Sequence, residues 1–311
     1  MKNSQKRSSN CQDQLFHLLN SAHVFCEQGN YFSAFQHLGD KLSRLYNNID
    51  ENDVDNIRDI VRNHPVFDIC QQDPYTNRAF TKPRGYAGDA VMLDYVYSGI
   101  VPPQTTPHGH GIFECTTRSS MGLSVLFRRT LLTAYINDIV LKNQSARILS
   151  VASGHCRELS ESIALSDNYK GEVIAFDQDE KSCSEVDFVY HGRVKTIVSG
   201  VKKLWGSSQS ELGKFDLIYS AGLYDYLPKA QALKLSESLM LMLKPGGRLV
   251  VGNFSSTSTG RGYLELVMDW NLIYRDRQEL SDLFNEQTGY SKSIYDDPYH
   301  NITYIDIVKN D

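Results

Sequence analysis

Asp177 closes the apolar run Gly171–Asp177 (GEVIAFD). It lies about 20 residues beyond Gly154, which follows a second such run, Ala146–Ala152 (ARILSVA). Both runs read as buried strands. A carboxylate at the end of a strand, at that spacing, is placed to accept hydrogen bonds from the two hydroxyls of a ribose. A glycine in the preceding strand-to-helix turn lets a ligand approach the backbone. Together they point to a nucleoside-cofactor site; the other reading of Asp177 is a helix N-cap or loop carboxylate. The turn Ser153-Gly154-His155-Cys156-Arg157-Glu158 carries one glycine. It lacks the Gly-x-Gly-x-x-Gly spacing on which a pyrophosphate rests, so a dinucleotide is disfavoured and a ligand without phosphate is left open.

Such a site needs a sheet to position it, and the second half of the chain alternates strand and helix. After Ala146–Ala152 the pattern predicts a helix from about Cys156 to Leu165, then the strand Gly171–Asp177 and a helix from about Glu180 to Phe188. Strands follow at Arg193–Ser199 and Phe215–Ala221, a helix at Lys229–Leu243 and a strand at Gly247–Phe254. A helix near Arg277–Glu286 leads to two closing strands around the turn Asp297–Asn301. Alternation of this kind gives a parallel sheet covered on both faces, and so short a final turn makes the last pair an antiparallel hairpin. In an open sheet of this class, ligands bind at the carboxyl ends of the strands where the order reverses.

The first half is helical in pattern. Tyr31, Phe35, Leu38, Leu42, Leu45 and Ile49 alternate at four-three spacing. This stripe is either the seam of a homodimer or internal packing, and internal packing is favoured because a sustained coiled coil needs more heptads. A shorter helix is expected over Asp53–Arg62, ending at His64-Pro65. Pro74–Thr117 is rich in turn formers and reads as loop around a short helix, Ala90–Tyr97, capped by Asp89. A long helix is expected from near Ser119 toward Gln144.

The 311 residues, 41% hydrophobic and 22% charged, suffice for a sizeable core in one large or two coupled domains. A net charge of −5 argues against a nucleic-acid or anionic-membrane partner. No run approaches the roughly 20 apolar residues of an integral membrane span. The opening MKNSQKRSSN precedes no apolar run, so no secretory signal is expected. The six cysteines are scattered without a C-x-x-C pair, which suggests reduced thiols in a cytoplasmic protein and no metal site.

Four segments resemble class I S-adenosylmethionine-dependent methyltransferases. VASGHCRELSE resembles the first motif of that family in its small-x-Gly-x-x-Arg-Glu variant, departing from the glycine-rich form at His155 and Cys156. VIAFDQD resembles the ribose-binding motif, FDLIYSAGLYDYLP the fourth motif, and LMLKPGGRLVVGNF the helix–Lys-Pro-Gly-Gly–strand signature. The four occur in family order across Ala146 to Asp311. The resemblance implies a doubly wound, Rossmann-like, seven-stranded α/β methyltransferase sheet and S-adenosyl-L-methionine as cofactor. Carried over by position, Ser153, Gly154 and Arg157 take the methionine end of the cofactor, and Asp177 takes the ribose. Gln178 lies beside the adenine or ribose, Ser199 and Gly200 contact adenine, and Ser220 with Leu223 flank the methionine and sulfonium.

TKPRGYAGDAVMLDYVYSG and GRGYLELVMDWNLIYRDRQEL resemble a bacterial subgroup labelled 3-hydroxypalmitic acid methyl ester biosynthesis proteins. That resemblance implies an N-terminal helical cap over residues 1–145 and a core over 146–311 with an insertion at about 253–276. It also implies methyl-ester formation on a small, fatty-acyl carboxylic acid. Added segments of this kind shape a substrate pocket, which makes Arg84, Arg118, Arg261, Tyr263 and Trp270 substrate candidates. A carboxylate acceptor needs an oriented donor rather than a base, and Tyr86 and Tyr224 join the arginines as positioning candidates. Arg84-Gly85-Tyr86-Ala87-Gly88-Asp89 reads equally as a helix-entry turn capped by Asp89, and Trp270 equally as core. A hydroxyl or amine acceptor of a secondary metabolite would call on His108, His110 or His155 as base. The other class of function is a catalytically silent, cofactor-binding regulatory partner. Methylation of macromolecules is disfavoured, because Ser220-Ala221-Gly222-Leu223-Tyr224 departs from the Asn/Asp-Pro-Pro-Tyr form used on flipped bases and amide side chains.

Overall fold

The computed structural model describes residues 2–205, 209–284 and 289–310. Two compact units result: Met1–Val125 with Ser258–Asn271, and Leu126–Thr257 with Leu272–Asp311.

The first unit is helical. It comprises α1 (Lys2–Glu27), α2 (Tyr31–Phe35), a π-helical stretch (Gln36–Lys41), α3 (Leu42–Tyr46), α4 (Val54–Arg62), α5 (Pro65–Cys70), α6 (Pro74–Thr81), α7 (Ala90–Ser98) and α8 (Pro107–Thr117). The four-three stripe packs inside this unit: Leu38 and Leu42 are fully buried together with Leu15 and Leu19 of α1. The stretch Pro74–Thr117 is more helical than its composition suggests. Pro74 and Pro107 stand at N1 of α6 and α8, where the missing N–H has no intrahelical partner to lose. Asp73 caps α6 by accepting from the amides of Tyr75 and Thr76, and Thr106 caps α8 by accepting from that of Gly109. The glycines of α8 serve contact: a Cβ on Gly109 would stand 2.2 Å from the Gln72 carbonyl oxygen. As expected, Asp89 caps α7, through the Met92 amide.

Residues 258–271, expected to belong to the core, pack with the helical unit instead. Gly262 donates its amide to Ser43 Oγ at 3.0 Å, and Tyr46 donates its hydroxyl to Glu265 at 2.6 Å. The Arg62 guanidinium bonds both the Leu266 carbonyl and the Asp269 carboxylate. Tyr263–Val267 form a second π-helical stretch.

The helix α9 (Ser120–Lys142) runs on into the second unit, so the expected boundary at residue 145 moves to 125. The reason is burial: Leu132, Ile136 and Val140 pack with Ile148, Val173 and Val250 on one face of the sheet. The strands are β1 (Arg147–Val151), β2 (Glu172–Asp177), β3 (Lys195–Val198), β4 (Phe215–Ser220), β5 (Leu243–Phe254), β6 (Tyr290–Asp296) and β7 (Ile302–Lys309). They lie in the order β3-β2-β1-β4-β5-β7-β6. The first five pair parallel, with Val151 opposite Phe176 and Ser150 opposite Tyr219. β7 runs antiparallel to β5 and β6, as the short final turn requires. Leu149, Val151, Ile218 and Val251 fill the other face with Leu235 and Leu239 of α12 (Lys229–Leu241). The remaining helices are α10 (Glu180–Tyr190), α11 (Gln209–Leu212) and α13 (Arg277–Ser281).

The helix expected from Cys156 to Leu165 is absent; two single 3₁₀ turns, Arg157–Leu159 and Ile163–Leu165, replace it. Cys156 is left-handed at φ 50°, Ser160 turns its hydroxyl back to the Arg157 carbonyl, and Ser162 accepts from the Ala164 amide. Short polar side chains bonding local backbone in this way compete with helix propagation. Of the helix expected over 277–286, α13 takes five residues, and 285–286 lie outside the described residues.

Candidate functional site

The strand order reverses between β1 and β4, and the candidate cofactor residues gather at the carboxyl ends of the strands there. The amide of Gly154 donates to Asp177 Oδ2 at 2.8 Å, and the amide of Asp179 donates to Asp177 Oδ1 at 2.8 Å. Asp177 is buried; desolvation pushes its carboxyl upward, and these backbone bonds oppose the shift. The turn after β1 is bent by three left-handed residues, Ala152, Gly154 and Cys156. Two of them carry a Cβ, a strain that clusters at functional sites. Ser153 Oγ is buried and meets no hydrogen-bond partner among the described residues.

The other cofactor candidates divide. Ser199 donates its amide to the Asp177 carbonyl at 2.7 Å, and Gly200 follows with nothing within 4 Å of a built Cβ. Gln178 is exposed beside Asp177. Ser220 is buried and ties β4 to β1 by donating to the Val151 carbonyl. Leu223 is half-buried against the sheet core. Arg157 turns to α10, pairing with Glu185 at 2.8 Å. Tyr224 departs from expectation: it is fully buried, stacked on Phe284, with its hydroxyl on Ser236 at 3.0 Å. It belongs to the core and has no free hydroxyl with which to position a substrate.

A buried polar cluster lies beside these residues, and no local sequence pattern marks it. Arg128 of α9 is 3% exposed and donates to the Ala221 carbonyl at 2.9 Å. A Cβ on Gly222 would meet Arg128 Nη1 at 3.2 Å and Asp225 Oδ2 at 3.7 Å. Asp225 is buried after β4, and burial raises its carboxyl to about 7. Its Oδ1 accepts from the Phe254 amide and its carbonyl from the Ile273 amide. The buried guanidinium of Arg275 donates to the carbonyls of Tyr224 and Leu227 and to Asn253 Oδ1. Glu158 accepts from the Tyr219 hydroxyl at 2.6 Å. Glu158 in the first motif and Asp225 after β4 were visible in the sequence. Their burial was not, because it depends on which elements cover them.

In the helical unit, Arg84 and Tyr86 are half-buried on the loop after α6. Two ion pairs pin that loop, Arg78 with Asp89 and Lys82 with Asp269. Trp270 is buried and bonds the Leu264 carbonyl through its amide. Arg261 pairs with the buried Glu265 at 2.6 Å. Tyr263 and Arg118 line a cavity of about 670 Å³ within this unit, walled also by Tyr31, Phe35, Tyr75 and Met268. Tyr263 is fixed by its hydroxyl on Thr76, whose own hydroxyl bonds Asp73. Arg118 is exposed and has no ion-pair partner among the described residues. Of the histidines, His108 bonds Tyr31 at 3.2 Å, His110 lies 3.8 Å from Glu114, and His155 is buried 3.4 Å from the Arg157 guanidinium.

No family model and no curated protein matches the chain. Solved structures do. A possible exported protein from Bordetella parapertussis superposes with a TM-score of 0.61 at 16% identity, over 98% of this chain and 99% of its own. The plantazolicin methyltransferase BamL, in complex with a triazolic desmethylPZN analog and SAH, superposes with a TM-score of 0.50 at 12% identity, over 79% and 98%. The plantazolicin methyltransferase BpumL in a like complex gives 0.50 at 11% identity, over 78% and 98%. The chain has the methyltransferase Rossmann-like fold. In that fold, Ser153, Gly154, Asp177, Ser199 and Ser220 lie at the carboxyl end of the sheet. Arg157 and Tyr224 are committed elsewhere.

Proposed function

We propose that this chain is an S-adenosylmethionine-dependent methyltransferase acting on a small molecule, and that it makes the methyl ester of a carboxylic acid with an apolar, fatty-acyl body. The observation that carries the reading is the Asp177 carboxylate, fixed against the Gly154 amide beside the point where the strand order reverses. The residues present suit the cofactor. Each carboxylate oxygen of Asp177 has used one of its accepting positions on backbone amides, leaving others for ribose hydroxyls. The unpartnered Ser153 hydroxyl at the end of β1 offers a further bond at the methionine end. When bound, the cofactor supplies a methyl carbon already activated by its sulfonium.

What remains for the protein is alignment and exclusion of water. A carboxylate is a nucleophile at neutral pH and needs a donor that orients it. Arg118, a guanidinium lining an apolar cavity, has that chemistry. A hydroxyl or amine acceptor would need a base, and His108, His110 and His155 each have a neighbour already. Six unpaired thiols fit a reducing compartment, and we place the protein in the cytoplasm. No described helix is long and apolar enough to cross a membrane.

The test is titration calorimetry with S-adenosylmethionine, followed by incubation with methyl-labelled cofactor and a small-molecule extract of the source. Binding, and label released as methanol by mild alkali, are expected. Alkali-stable label would move the acceptor to a hydroxyl or amine, and absence of cofactor binding would overturn the reading.

A further inference from the structure

The cavity of the helical unit has one wall of unusual construction. Tyr31, the first residue of α2, lies against α8: its hydroxyl meets His108 Nδ1 at 3.2 Å, and the two rings are edge-to-face at 5.9 Å. Three residues further along the same face of α8 stands Gly111, buried and in ordinary helical conformation. A Cβ built there would fall 2.0 to 2.4 Å from three carbons of the Tyr31 ring. The ring therefore rests on bare backbone, clamped at His108 and at Gly111. Both Tyr31 and Gly111 line the cavity. Any side chain at 111 must push the phenol ring off the helix, into space the cavity now occupies. Glycine within a helix costs about 1 kcal/mol relative to alanine, so its use here is a matter of contact and not of helix stability.

A second aromatic pair stands in the lining. Phe35 meets Tyr263 edge-to-face at 5.2 Å, and Tyr263 is tethered through Thr76 to Asp73. Fixed aromatic walls select a ligand by size and shape, while exposed Arg118 supplies a charge for an anionic end. Asp40 and Glu114, also in the lining, would repel a second anionic group and favour a ligand with one.

We propose that Tyr31, seated on Gly111 and braced by His108, is the size-limiting wall of a chamber for a singly anionic, apolar small molecule. The proposal rests on the methyltransferase reading only in naming that molecule as the acceptor; the chamber itself requires no cofactor.

The test uses the full chain without cofactor and two fluorescent apolar anions of single charge, 1-anilinonaphthalene-8-sulfonate and the larger 11-(dansylamino)undecanoate. The wild type should bind the smaller probe in preference. Tyr31→Ala should raise the relative affinity for the larger probe about tenfold, and Gly111→Ala should weaken the smaller about tenfold. The readout is the ratio of the two affinities, which a loss of fold would not reverse. Tyr31→Phe, which keeps the ring and loses the His108 bond, should retain the wild-type ratio and serves if Gly111→Ala does not fold. An unchanged ratio in Tyr31→Ala, or no binding of either probe by the wild type, overturns the proposal. Cofactor titration of the same variants is independent: unbound cofactor with bound probe would sink the methyltransferase reading and leave the chamber standing.

Discussion

The Asp177 carboxylate accepts the Gly154 amide at 2.8 Å, joining the turn after β1 to the end of β2. One side chain thereby fixes the shape of the glycine turn and presents its remaining lone pairs beside it. Asp177→Ala should abolish binding of S-adenosylmethionine. Loss of two hydrogen bonds to a charged acceptor is worth about 3 kcal/mol or more, at least a hundredfold in affinity. Asp177→Asn, which keeps one acceptor, should lose less. Calorimetry on the three proteins checks the order, and wild-type affinity in Asp177→Ala would remove the ribose assignment.

The segment 258–271 is held to the helical unit by a close approach at Gly262. A Cβ there would stand 2.8 Å from Ser43 Cα and 2.9 Å from its nitrogen. Both are backbone atoms, which cannot swing aside as a side chain can. Gly262→Ala should therefore destabilise the protein by about 1–3 kcal/mol, the usual cost of forcing extra volume into packed structure. Gly200→Ala, where a Cβ meets nothing within 4 Å, is the matched control and should melt with the wild type. Differential scanning calorimetry of the pair decides it.

The sheet was legible because its strands are short apolar runs bounded by turn formers, and burial on both faces leaves little room for another reading. Asp177 was legible for the same reason: a strand's end fixes where its last side chain lies. The misreadings share a different cause. Pro107, Gly109 and Gly111 look like loop, yet the proline sits at N1 and the glycines admit Gln72 and Tyr31. Tyr224 looks like a site residue next to Leu223, yet a 3₁₀ turn carries it into the core. Arg128 looks like one more polar residue on a long helix, until α9 lays it over the Ala221 carbonyl. Each depends on a partner distant in sequence, which local pattern does not report.

Asp225 gives the protein a pH dependence whose sign can be worked out. Burial holds its carboxyl at about 7, although the Phe254 amide, Arg128 and Arg275 pull the other way. In the unfolded chain an aspartate titrates near 3.9. Between about pH 4 and pH 7 the folded protein thus keeps a proton that the unfolded chain has released. Stability from this group is fully present below about pH 4 and is lost as pH rises through about 7. Asparagine has nearly the same shape, stays neutral throughout and can still accept from the Phe254 amide. Arg128 and Arg275 keep their bonds to backbone carbonyls in the variant. Asp73, raised by burial to about 6, contributes a slope of the same sign to both proteins and cancels in the difference. The stability of Asp225→Asn relative to wild type should therefore increase steadily from about pH 4 to about pH 7. Urea unfolding midpoints across that range measure it, and a difference that does not change with pH would mean that Asp225 is ionised in the folded protein.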